Sequence, residues 1–110
     1  MNAEDAKLLT LARAARGRVG AGCGAAVRDD TGRTYSGADV VLPSLRLTAL
    51  QLAVAQAVAA GARGIEAAGV VAVDPQLHHH DLAAVREAGG VGAPIMLADS
   101  SGNVVRQETA

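Results

Sequence analysis

The run Leu47-Thr48-Ala49-Leu50-Gln51-Leu52-Ala53-Val54-Ala55-Gln56-Ala57-Val58-Ala59-Ala60 is apolar at every position except Thr48, Gln51 and Gln56. At helical pitch these three leave no continuous polar face. A helix that is apolar all round belongs inside a protein, not laid on its surface. Pro43 and Ser44 precede it and Gly61 follows as a natural stop. The chain must therefore wrap other elements around residues 47–60. What it has for wrapping is unusual: among 110 residues there are 25 Ala and 13 Gly, a single Tyr, and no Phe or Trp. Without aromatic rings to fill space, a core of Ala, Val and Leu must bring backbones close together. The length fits one domain over residues 1–110. A domain this small buries a modest share of its surface, which favours an oligomer.

Charge and cysteine usage exclude several classes. Ten basic and eleven acidic residues give a net charge of −1, where a protein that tracks nucleic-acid phosphates carries a basic excess. Arg13, Arg16, Arg18 and Arg28 are spaced as solvated charges with acids nearby, so no nucleic-acid partner is expected. A single cysteine, Cys23, rules out an internal disulfide and any multi-cysteine metal site. No apolar run reaches the ~18 residues that a membrane span requires. Glu4 and Asp5 stand where a signal peptide carries bases, and a cytoplasmic location is expected.

Periodicity and turn residues place the other elements. Residues 4–16 read as a helix with Leu8, Leu11, Ala12 and Ala15 on one face, Asn2 as its cap, and Gly17, Gly20 and Gly22 ending it. Strands at 23–28 and 34–40 flank the turn Asp29-Asp30-Thr31-Gly32 as a hairpin. Gly24, Ala25 and Ala26 imply a neighbour packed very close to the first strand. The continuous apolar run 69–73 reads as a strand covered on both faces. A short helix over 80–88, closed by Gly89-Gly90, then strands at 94–98 and 103–106 around Asp99-Ser100-Ser101-Gly102, complete the order α-β-β-α-β-α-β-β. That order describes an α/β sheet with both hairpin and crossover connections.

This order and spacing resemble the cytidine deaminase family from about Leu8 to Val105. Cys23-Gly24-Ala25-Ala26 resembles the family's Val-Gly-Ala-Ala strand, and Asp30-Thr31-Gly32 its turn. Gly37-Ala38-Asp39-Val40-Val41 stands where the family has Gly-x-Asn-x-Glu, and Ala57-Val58-Ala59-Ala60-Gly61 matches the end of its buried central helix. The resemblance implies a three-layer α/β/α domain with a five-stranded mixed sheet. It also implies a homo-dimer or homo-tetramer.

The chemistry of the family does not carry over residue by residue. Its zinc is held by a His or Cys at the start of the central helix and two Cys of a Pro-Cys-x-x-Cys helix start, with a Glu two residues after the first ligand as proton shuttle. Counting back from Gly61 puts Thr48 at the first ligand position and Leu50 at the shuttle. A Thr hydroxyl is a poor zinc ligand and Leu moves no proton. Counting back from Glu87 lays Leu77-His78-His79-His80-Asp81 over the cysteine motif, with His78 and Asp81 on the two ligand positions. Both residue types bind zinc. The other reading of this segment is an exposed loop and a helix cap, Asp81 being a good capping residue. The family's two ribose-binding positions hold Asp39, which still accepts from a hydroxyl, and Val41, which makes no polar contact. Leu50 is expected to fill space once open to water and substrate.

Other constellations are weaker. Cys23, followed by small residues on a strand, reads as buried and inert. The glycines at 17, 20, 22 and 24 precede a strand and lack the following Lys-Ser/Thr of a phosphate loop. Ser36, Ser44, Ser100 and Ser101 have no nucleophile-elbow context. The expectation is a non-catalytic member of the family, without catalytic residues or metal, acting through self-association or a protein partner. Two alternatives stand beside it: a zinc-dependent cytidine deaminase with an unconventional site at His78 and Asp81, and a nucleoside or nucleotide sensor using Asp39 as a remnant binding residue.

Overall fold

Strand β5 (Ile65–Ala72) lies at the centre of the molecule and is buried at every position but Glu66. The computed structural model describes all 110 residues. Helix α1 spans Ala3–Val19, strand β1 Cys23–Asp29 and strand β2 Thr34–Ala38. A small ribbon follows, β3 (Val40–Val41) and β4 (Arg46–Leu47), then helix α2 (Ala49–Ala59) and β5. Helix α3 (His79–Val85), a wide turn over Arg86–Gly90, and strands β6 (Pro94–Ala98) and β7 (Val104–Thr109) complete the chain. The main sheet has five strands in the order β2-β1-β5-β6-β7. Only β5 and β6 run parallel, joined by the crossover through α3. The other pairs are antiparallel, so the sheet is mixed.

Alternation along each strand divides the core in two. Ala25 and Val27 of β1, Ala68 and Val70 of β5, and Ile95 and Leu97 of β6 face α2 and α3. Ala26, Ala67, Val71, Met96 and Ala98 face α1, meeting Leu8, Leu9 and Ala12. Helices on both faces of one sheet make the α/β/α sandwich. Gly24 shows how close the layers come: a Cβ there would overlap the carbonyl oxygen of Ala12 and crowd the backbone of Arg16. Arg28 ties α1 to the sheet, with Asp5 and Glu66 each 3.1 Å away.

Several boundaries differ from the sequence reading. Helix α1 runs through Gly17 and ends at Gly20, whose left-handed backbone (φ 64°) accommodates the cap. Tertiary packing along Leu8, Leu9, Ala12 and Ala15 outweighs the modest helix penalty of one glycine. Asn2 does cap α1, its Oδ1 accepting from the Asp5 amide at 2.8 Å. The strand expected to run from 34 to 40 breaks at Asp39, because Asp39 Oδ1 accepts from the Cys23 amide at 2.8 Å and turns the chain into β3. Strand β5 begins four residues earlier than expected, at Ile65. Helix α2 is not buried all round: Ala55 is exposed and Val58 is 52 % exposed. Its inner face meets the sheet, α3 flanks one side, and Ala55 and Val58 stay open to solvent.

The β1–β2 hairpin is held by a buried carboxylate. Asp29 accepts from the Thr31 amide and hydroxyl, the Arg33 amide and the Tyr35 hydroxyl, all between 2.7 and 3.0 Å. Burial pushes its pKa up, but the hydrogen bonds from Thr31, Tyr35 and Arg33 outweigh that and hold it below the ordinary carboxylate value. The folded pKa lies below the unfolded one. The stabilisation is therefore in place above the unfolded value and is lost as pH falls through the folded value. Asp29→Asn is expected to destabilise the protein at neutral pH and to flatten its loss of stability below about pH 4 in denaturant titrations.

Two glycine substitutions test the close packing. Gly24→Ala should cost about 3 kcal/mol, the upper end of overpacking penalties, because the obstacle is backbone. Gly17→Ala, with nothing within 4 Å of the added Cβ, should instead gain roughly 0.5–1 kcal/mol in the same chemical denaturation series.

Candidate functional site

The start of α2 and the start of α3 meet at one buried carboxylate. Thr48 is the N-cap of α2, in extended backbone, and shares a reciprocal cap with Gln51: Thr48 Oγ1 accepts from the Gln51 amide and Gln51 Oε1 from the Thr48 amide, each at 3.0 Å. The Thr48 hydroxyl then donates to Asp81 Oδ1 at 2.6 Å. The second oxygen of Asp81 accepts from the His78 amide at 3.0 Å. Asp81 is only 3 % exposed, and no buried side-chain nitrogen or oxygen in the molecule lacks a partner. The structure thus brings together Thr48, His78 and Asp81, the three residues that the family resemblance lays over ligand positions.

The segment around them matches the loop-and-cap reading except in the burial of Asp81. His78, His79 and His80 are exposed, with the His78 and His80 rings stacked at 5.2 Å. Asp81 is buried, so the segment is not an exposed loop throughout. Asp81 caps α3 from its third helical position, through the His78 amide, while His78 itself holds the N-cap position.

Beside this junction lies a cavity of about 320 Å³. Thr48, Leu50, His78, Asp81 and Asp39 all line it, together with Cys23, Val70, Ala72, Asp74, Gln76 and Leu77. Leu50 is 2 % exposed and packs into the core between α2 and the sheet. Asp39 has one oxygen committed to the Cys23 amide. Val41 lies outside the cavity, 67 % exposed on the β3–β4 ribbon. Sequence reasoning missed Cys23, Asp74, Gln76 and Leu77 as lining residues. The available signal was positional. Cys23 pairs with Ala72, so the start of β1 and the carboxyl end of β5 share one edge of the sheet, and in α/β sheets ligand crevices form outside the carboxyl ends of strands.

The donor set does not fit a zinc ion. No three His, Cys, Asp or Glu side chains lie close enough to hold one metal. Thr48 offers a neutral hydroxyl whose proton is directed at Asp81, and both Asp81 oxygens are engaged. Zinc sites use at least three protein ligands drawn from thiolate, imidazole and carboxylate. Cys23 is held as the neutral thiol in the metal-free protein. Burial pushes its thiol up to about 11, the Asp39 and Asp81 carboxylates add to the rise, and Arg16 opposes it. Alkylation of Cys23 by iodoacetamide at pH 8 should therefore run on the order of 100-fold slower than that of a free cysteine peptide, with the rate climbing toward pH 11.

No helix of the chain is long and apolar enough to cross a membrane. Comparison with known proteins reaches the same architecture. The family model described as cytidine deaminase-like matches residues 1–102. No match is found among curated protein sequences. Among solved structures, the chain is similar to cytidine deaminase from Burkholderia pseudomallei, with 25 % identity and a TM-score of 0.83 over 99 % of this chain and 93 % of that one. It is also similar in fold to cytidine deaminase from Mycobacterium leprae, with 23 % identity and a TM-score of 0.73 over 94 % of this chain and 90 % of that one. With the sheet order, the layers and this match along nearly its whole length, the chain belongs to the cytidine deaminase-like family.

Proposed function

We propose that this protein is a non-catalytic member of its family that acts through association with itself or with another protein. The observation that carries this reading is Leu50. It is buried, apolar and on the cavity wall, at the position where the family resemblance calls for a proton-carrying carboxylate. Deamination needs a group that moves protons at the reacting centre, and a Leu side chain has none. The neighbouring donors point the same way, since Thr48 and Asp81 are hydrogen-bonded to each other.

Association is supported by the outer face of α2. Ala55 and Val58, with buried Val54 at the base and Gln51 at one end, border a mostly apolar groove of about 370 Å³ whose other wall is Ala84, Glu87 and Ala88. Exposed apolar surface of this kind marks contact sites. The solved structures to which the chain is similar are cytidine deaminases, and the resemblance favours a homo-dimer or homo-tetramer.

The test is incubation of the purified chain with cytidine, with and without added zinc, followed by the ultraviolet absorbance change of deamination. No turnover above the buffer control is expected under either condition. Zinc-dependent loss of cytidine that disappears in His78→Ala or Asp81→Ala would overturn the reading in favour of a deaminase with an unconventional site. Light scattering in parallel should return a dimer or tetramer mass, shifted toward monomer by Val58→Glu. A monomer that Val58→Glu leaves unchanged would remove self-association.

A second reading, a nucleoside or nucleotide sensor, is favoured by one observation. The cavity is of small-ligand size and keeps Asp39 on its wall as a hydroxyl acceptor. A rise in melting temperature with cytidine or a nucleotide, abolished in Asp39→Ala, would favour it over the association reading.

A further inference from the structure

We propose that Thr48 and Asp81 form a metal-free staple, a direct hydrogen bond that joins the N-termini of α2 and α3 where the family resemblance would place an ion. The inference rests on the non-catalytic reading only in taking these two residues as structural. Its basis is the complete use of their polar atoms. The Thr48 hydroxyl accepts from the Gln51 amide and donates to Asp81, and at 2.6 Å the second bond has the short length of a charge-assisted contact. Asp81 receives the hydroxyl on one oxygen and the His78 amide on the other. A carboxylate buried this deeply needs such donors to remain in the fold.

A cation at this junction would compete with the Thr48 hydroxyl and the His78 amide for the Asp81 oxygens. It would find no third His, Cys, Asp or Glu side chain close enough to complete its shell. Asp81 is the carboxylate that the two helix starts share. The two helix starts are connected without anything between them, and the fold is independent of metal.

The test is a double-mutant cycle read by thermal unfolding, with zinc and chelator as added conditions. Wild-type protein is expected to melt at the same temperature in EDTA and in excess zinc. Thr48→Ser keeps both hydrogen bonds and should stay close to wild type. Thr48→Val leaves Asp81 Oδ1 unpaired and should melt roughly 5–10 °C lower. Loss of the α2 cap also lowers the melting temperature, so the deciding readout is coupling. The drop caused by Thr48→Val should shrink by several degrees in an Asp81→Ala background, which has no acceptor for the hydroxyl, whereas a cap acting alone makes the two changes additive. Additive effects overturn the staple, as does Thr48→Val melting like wild type. A wild-type melting temperature that rises with zinc or falls in EDTA, with the response lost in His78→Ala, overturns it as well. Zinc bound without turnover would sink the staple and leave the non-catalytic reading standing. Turnover of cytidine by metal-free protein would do the reverse.

Discussion

Helix α1 lies so near strand β1 that only a glycine fits at position 24, and the rest of the architecture follows from that proximity. With no Phe or Trp, both core layers are filled by Ala, Val, Leu, Ile and Met. Small side chains bury little area each. They stabilise by letting backbones approach until dispersion contacts are dense. The same closeness recurs at Gly69, which meets Leu8 and Leu9, and at Gly37, which meets Leu52 of α2. A sheet clasped this tightly on both faces aligns the starts of α2 and α3 at one edge, beside the start of β1 and the end of β5. The cavity is a consequence of that alignment.

At this edge a carboxylate does locally what a metal with several ligands does in zinc deaminases: it bridges two helix starts. The bridge uses residues that also serve their own helices. Thr48 caps α2, and Asp81 caps α3 through the His78 amide. Each helix terminus has orphan amides that need acceptors, and here the acceptors are linked to each other. The wall opposite is apolar through Leu50, Val70 and Ala72, and it carries a thiol that burial and two carboxylates keep protonated.

Much of this was legible along the chain. The turn glycines Gly32, Gly61 and Gly102 adopt positive φ where the turns were expected, and strand 94–98 falls where its apolar run lies. The central position of β5 followed from its unbroken apolar run, because alternation disappears when both faces are covered. The expected burial of α2 all round failed on Ala55 and Val58. Periodicity reports that a surface is apolar, not which molecule covers it. The helix extension past Gly17 was hidden because a local propensity of under 1 kcal/mol yields to packing elsewhere on the same helix.

The candidate site divides along the same line. The family resemblance, carried over by counting along the chain, grouped Thr48, Leu50, His78 and Asp81. That Asp81 is buried while its three His neighbours are exposed, that its two oxygens go to Thr48 and His78, and that Cys23 joins the cavity wall were decided only when elements distant in the chain met. Chain order carries residue type and local conformation. Burial and the choice of hydrogen-bond partner depend on what arrives from elsewhere in three dimensions, and these two quantities govern whether the side chains hold a metal or hold each other.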